Sequence, residues 1–161
     1  MAYLKLSGEI NAKVRIMIFT EGTILKSKSL FSLYNHNSYI PIGNGVKLIK
    51  KWVEQGAEVV YCTSRRNKQA EQIADILHKN DFIGTKLYFR DKGQKYKDIV
   101  EMVCPDILVE DNCRSIGGAW QMCITNVSSE IKEHIKSVVV EEFKGIDMLP
   151  ENISDLMNFF K

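Results

Sequence analysis

Val14-Arg15-Ile16-Met17-Ile18-Phe19-Thr20-Glu21-Gly22-Thr23 is the stretch on which the fold turns. Apart from Arg15, its first six residues are β-branched or otherwise apolar, the composition of a strand. The run stops at Thr20-Glu21-Gly22-Thr23, where glycine supplies the backbone freedom of a strand-to-loop turn. Four similar runs follow: Glu58-Val59-Val60-Tyr61-Cys62, Lys86-Leu87-Tyr88-Phe89-Arg90, Asp106-Ile107-Leu108-Val109 and Ser137-Val138-Val139-Val140. Amphipathic stretches separate them, and that alternation is the signature of a parallel sheet covered by helices. The expected architecture is a three-layer α/β/α sandwich of the Rossmann-like kind, with a mainly parallel sheet of about five strands and at most a small lid.

Helical spacing supports this reading. From Gly43 to Gly56, Val46, Ile49 and Val53 share a face, with Leu48 and Trp52 beside them and Lys47, Lys50 and Lys51 on the solvated side. A second helix aligns Ala70, Ile73, Ala74 and Leu77, and a third, from about Gln94 to Val103, aligns Tyr96, Ile99, Val100 and Val103 before Pro105. A short helix is expected near Ser128 to Lys136. Another opens at Pro150 and is expected to bury Ile153, Leu156, Met157 and Phe160. Residues 25–42 show no clean period and read as a loop or small lid, with one short helix allowed.

The chain has 161 residues, 45% of them apolar, enough for one core and too few for two. We therefore expect a single domain over 1–161, with its core at about 14–140 and a C-terminal extension carrying a helix at 141–161. Its 22 basic and 20 acidic residues give no electrostatic case for a nucleic-acid polymer or a membrane as partner. The first residues lack a secretory signal and no stretch approaches a membrane span, so a cytoplasmic location is expected. Cys62, Cys104, Cys113 and Cys123 make no CxxC pair; Cys62 and Cys104 are expected in or beside buried elements, and no disulfide or zinc site is expected.

In open parallel sheets, ligands bind beyond the C-terminal ends of the strands. Those ends here carry Glu21-Gly22-Thr23, Thr63-Ser64, Arg90-Asp91-Lys92 and Glu110-Asp111-Asn112. Acids from two strands suit a hard cation such as Mg²⁺, and hydroxyls beside a helix start suit phosphate oxygens. Taken singly, each motif has a plainer explanation: a turn, a helix cap or a polar loop. Their joint placement at one sheet edge is what argues for a site.

The order of these motifs resembles that of the haloacid dehalogenase (HAD) superfamily of phosphohydrolases. The first motif there is an apolar strand ending in Asp-x-Asp-Gly-Thr, and here it reads Phe19-Thr20-Glu21-Gly22-Thr23. The second, a strand-end Thr or Ser, matches Thr63 with Ser64 adjacent, and the fourth, a pair of acids, matches Glu110-Asp111. Cys62-Thr63-Ser64 and Arg90-Asp91-Lys92 look most like the deoxyribonucleotidase branch. The resemblance covers roughly residues 14 to 140.

It implies that Gly22, Thr23, Thr63 and Ser64 bind phosphate and that Asp111, Glu110 and Glu21 hold Mg²⁺. It further implies that Glu21 serves as acid or base and that a lysine neutralises charge. Lys92 is narrowly preferred over Lys95 for that role, and Lys97 is a third choice. The family's attacking aspartate, however, is Phe19 here, so the aspartyl-phosphate route is closed. Thr20 is a poor substitute, because its side chain should point to the opposite face.

Two readings remain. One is a nucleotidase-like phosphomonoesterase that activates water through Mg²⁺. The other is an inactive HAD-like domain that binds a phosphorylated ligand or a protein partner. The expected ligand is a phosphorylated small molecule, a nucleotide among the candidates, and a homo-oligomer is allowed. Arg65 and Arg66 either meet a phosphate or are solvated; His36, His78 and His134 carry no ligand role. Trp52 is expected in the core, and Trp120, after Gly117-Gly118, at the rim of the site.

Overall fold

The computed structural model describes residues 2–8, 14–28 and 39–159. Eight strands and six helices follow in chain order: β1 Ala2–Lys5, β2 Val14–Phe19, β3 Leu25–Ser27, β4 Tyr39–Pro41, α1 Gly45–Glu54, β5 Ala57–Cys62, α2 Lys68–Lys79, β6 Lys86–Phe89, α3 Tyr96–Val103, β7 Ile107–Asp111, α4 Cys123–Asn126, α5 Ser129–Lys132, β8 Lys136–Val140 and α6 Ile153–Met157. Two 3₁₀ turns, Arg114–Ile116 and Gly118–Trp120, lie between β7 and α4.

The main sheet has the order β1-β6-β5-β2-β7-β8, and every pairing is parallel except β1 with β6. All six residues of β5 are buried, as a strand covered on both faces requires. Alternation sends β2 side chains to opposite faces. Ile16 and Ile18 join Leu48, Ile49 and Trp52 of α1, Ile73 and Leu77 of α2 and Leu156 of α6. Met17 joins Ile99, Val100 and Val103 of α3 and Cys123 and Ile124 of α4 on the other face. This is the expected three-layer α/β sandwich. Among the described residues no helix is long and apolar enough to cross a membrane.

Several expectations are corrected. The five strands read from the sequence are all present, and Ala2–Lys5 adds a sixth, an antiparallel edge strand on β6. Its four residues alternate between half-buried and exposed, and an edge strand of that length carries little apolar signal. Residues 25–42 are not simply a loop, since β3 and β4 pair as an antiparallel ribbon (Leu25 opposite Pro41). The short helix allowed within that stretch could fall only at 29–38, outside the described residues. The helix expected near Ser128 to Lys136 ends at Lys132, and a separate turn of helix, α4, precedes it. Strand β7 runs to Asp111, so Glu110 and Asp111 are buried strand residues.

In α6, Leu156 is buried but Met157 is exposed, while Phe160 lies outside the described residues. Residues 141–159 also contribute Ile146 and Leu149 to the core that packs on α1. Cys104 is exposed, in contrast to the buried Cys62, and all four thiols are free.

The two tryptophans divide sharply. Trp52 is fully buried and donates its indole N–H to the Pro150 carbonyl at 3.0 Å, tying α1 to the C-terminal segment. Trp120 is 82% exposed. Trp52→Ala should therefore cost about 3–5 kcal/mol in urea unfolding, and Trp120→Ala less than about 0.5 kcal/mol. Similar losses in both variants would contradict this packing.

Candidate functional site

The sheet changes direction of growth at β2, with β5 and β6 on one side and β7 and β8 on the other, so the C-terminal ends of β2 and β7 form its switch point. In-register pairing of Phe19 with Cys62 and of Ile18 with Val109 brings the residues after each strand together. Glu21 follows β2, Thr63 follows β5, and Asp111 closes β7.

Glu21 is held from several directions. The Thr63 hydroxyl donates to Glu21 Oε1 at 2.5 Å, and the Ser64 amide donates to Oε2 at 3.0 Å. The Arg65 guanidinium lies 3.8 Å from Oε1, and the Thr20 hydroxyl is 2.7 Å from Oε2. The Thr63 oxygen in turn accepts from the Arg65 amide at 3.1 Å, which fixes its proton toward Glu21. Thr63 and Ser64 thus direct their donors at an internal carboxylate. Thr20 is fully buried, lies 3.2 Å from the Cys62 carbonyl and is not part of the cavity lining.

Asp111 packs against the turn after β2. Thr23 donates to Asp111 Oδ2 at 3.3 Å, and the Cys113 amide donates to Oδ1 at 2.8 Å. Gly22 has φ +83°, and a Cβ there would stand 2.5 Å from Asp111 Oδ2, so glycine is needed for both conformation and space. Burial raises the Asp111 carboxyl above the usual range, and the nearby charge of Glu142 adds to that effect. Glu110 faces the other side of the sheet. Its two oxygens accept from the amides of Cys123 at 2.6 Å and Ile124 at 2.9 Å, the free N–H groups at the start of α4.

These strand ends open into a cavity of about 370 Å³. Phe19, where the resemblance would place a nucleophile, forms part of its wall and meets the Tyr96 ring edge-on at 5.5 Å between centroids. The Arg90 guanidinium lies over the same Tyr96 ring, 4.0 Å from its centroid. Arg65 lies over the Tyr39 ring and donates to its hydroxyl.

Of the residues suggested by sequence, Glu21, Gly22, Ser64, Glu110 and Asp111 line the cavity, with Thr23 and Thr63 hydrogen-bonded to its acids. Lys92 and Lys95 are exposed and outside the lining, and Lys97 lies 3.7 Å from both Asp98 and Glu101. The cation that enters the cavity is Arg65. Trp120 is solvent-facing and not part of the wall, whereas its chain neighbours Ile116 and Gln121 are. Sequence reasoning missed Tyr39, Cys113, Glu142 and Phe143. The strand-end rule, applied also to Val138-Val139-Val140, would have pointed to Glu142 and Phe143.

The expected metal set is not assembled. Among the described residues no three His, Cys, Asp or Glu side chains are grouped to hold an ion. Glu110 turns to two amides, Asp111 to an amide and a hydroxyl, and Glu21 to Thr63 and Ser64, three different directions. Mg²⁺ demands near-octahedral oxygen ligands at about 2.1 Å, and among the described residues the carboxylates do not converge on one point to supply them. The residues present do not fit that cation.

Among solved structures, the chain is similar to one in the Pnkp1/Rnl/Hen1 RNA repair complex, with TM-score 0.59 and 14% identity over 84% of this chain and 45% of that one. It therefore spans under half the length of that relative. It is also similar to D,D-heptose 1,7-bisphosphate phosphatase from B. bronchiseptica, solved with magnesium and phosphate, with TM-score 0.51 and 14% identity over 81% of this chain and 94% of that one. No family model matches the chain, and no curated protein matches it. At such identities the likeness shows the fold alone, a mainly parallel α/β sandwich.

Burial pushes the Glu110 carboxyl up to about 7, against the lowering effect of its two amide donors, and the charge of Asp111 raises it further. The folded state therefore holds a proton that the unfolded chain has released above about pH 4.3. The stability associated with Glu110 is full below that value and falls as pH rises toward about 7. Relative to Glu110→Gln, which does not titrate, the wild type should lose on the order of 3 kcal/mol between about pH 4.5 and 8 in urea unfolding. Parallel stability profiles for the two proteins would contradict this environment.

Proposed function

We propose that this chain is a HAD-like domain that does not transfer phosphoryl groups and uses its strand-end cavity for binding. One observation carries the reading: the Glu21 carboxylate sits on the Thr63 hydroxyl and the Ser64 amide, with the Arg65 guanidinium beside it. A substrate phosphate would need those same donors. Charge-assisted hydrogen bonds contribute about 1.5–3 kcal/mol each, so an internal carboxylate already in place is a strong competitor.

Two further features favour the same reading. Phe19 has no nucleophilic atom and its ring is packed against Tyr96. The acids of the site are individually engaged rather than converging on a cation. The competing reading, a phosphomonoesterase that activates water, draws support from the likeness to a phosphatase solved with magnesium and phosphate.

Phosphate release separates the two. Wild type, Asp111→Ala and Phe19→Asp are assayed with Mg²⁺ on nucleotides, sugar phosphates and a chromogenic phosphomonoester. The expected result is release no faster than the buffer blank in all three. Phe19→Asp stays silent because Glu21 still holds the phosphate donors. Mg²⁺-dependent turnover by the wild type that disappears in Asp111→Ala would overturn the proposal.

A further inference from the structure

The cavity and its surroundings say more about the occupant than the strand-end motifs do. Among the described residues its wall carries the carboxylates of Glu21, Asp111 and Glu142, the Glu110 carboxyl, which burial keeps partly protonated near neutral pH, and one guanidinium, that of Arg65. Arg65 is paired with Glu21. Among the described residues no cation lies within ion-pair distance of Glu110, Asp111 or Glu142, whose partners are amides and hydroxyls. Neutral donors leave the charge of a carboxylate in place, and each such oxygen keeps a further lone pair. The cavity therefore repels anions and favours a positive group.

Two large apolar side chains stand beside Ser64, Ser115 and Gln121 in the exposed part of the lining. Ile116 is 66% exposed and Phe143 is 48% exposed, and both line the opening. Trp120, 82% exposed, stands in the turn between Ile116 and Gln121, which also lines it. Phe143 has φ +62°, a left-handed conformation that is costly for an aromatic residue, and its amide donates to the Gly22 carbonyl at 2.7 Å. A strained backbone thus holds an exposed ring at the entrance. Large exposed apolar side chains gathered beside a pocket mark a surface that a macromolecule covers, and tryptophan is prominent at such surfaces. A small ligand inside the cavity would leave Trp120 in water.

We propose that this face docks a segment of a partner protein, which inserts a lysine or arginine side chain into the cavity and lays an apolar neighbour against Trp120, Ile116 and Phe143. The inference rests on the non-catalytic reading, which leaves the cavity free for binding. The inserted cation meets Asp111 and Glu142 without displacing their amide and hydroxyl donors. Its aliphatic stem lies along the apolar wall formed by Phe19, Leu25 and Tyr39. A phosphorylated segment is disfavoured by the same charges.

The test selects a random dodecapeptide library on the full immobilised chain, then measures the enriched peptides by fluorescence anisotropy. Enrichment of a lysine or arginine next to an apolar residue is expected. Affinity should fall at least tenfold in Trp120→Ala and in Glu142→Gln, and should weaken with added salt. No enrichment, enrichment of acidic peptides, or affinity unchanged in Trp120→Ala would overturn the proposal. N-acetyl-lysinamide serves as the small-cation arm, and binding as tight as that of the peptides would also overturn it. Turnover in the phosphate-release assay would instead sink the non-catalytic reading. A silent protein that selects no basic peptide sinks only the docking proposal.

Discussion

Parallel pairing of β2 between β5 and β7 is the constraint from which the rest of the site follows. With Phe19 opposite Cys62 and Ile18 opposite Val109, the residues that leave these three strands are forced to one edge of the sheet. Glu21, Thr63 and Asp111 are distant in sequence but have nowhere else to go. A register slip of one residue would turn Ile16 and Ile18 out of one core and move Glu21 off Thr63 together. Burial of those isoleucines and placement of the site are thus enforced by the same pairing.

Given that geometry, the chemistry depends on what each strand end carries. A hydroxyl, an amide and a guanidinium converge after β5, a set suited to an anion, and the anion they receive is the protein's own Glu21. The remaining acids are committed to local structure. Glu110 satisfies the start of α4, and Asp111 ties the turn at Gly22-Thr23 to Cys113. Phe19, packed edge-on against Tyr96, adds an apolar wall to that cavity and no polar atom.

Much of this was legible in the sequence. Strands β2, β5, β6, β7 and β8 and the three longer helices follow from apolar runs and helical spacing, because buried elements leave a strong pattern. The edge strand Ala2–Lys5 and the β3–β4 ribbon were not legible, since short, half-exposed strands carry little of that signal. The strand-end rule singled out Glu21, Thr63 and Asp111, which the fold brings to one edge of the sheet. It could not reveal that Glu21 turns back onto Thr63, because side-chain direction after a strand is decided by tertiary partners. For the same reason Lys92 and Lys95 looked as eligible as Arg65, although only the arginine reaches the cavity.

The central claim is that Glu21 occupies the anion donors of the strand-end site. It is tested most directly by titrating inorganic phosphate into the ¹⁵N-labelled protein and following the Ser64 and Arg65 amides by NMR. The wild type should show no saturable shift of either amide at millimolar phosphate, and Glu21→Ala should show one at both. Saturable binding at these amides in the wild type, or no binding in a folded Glu21→Ala variant, would contradict the account.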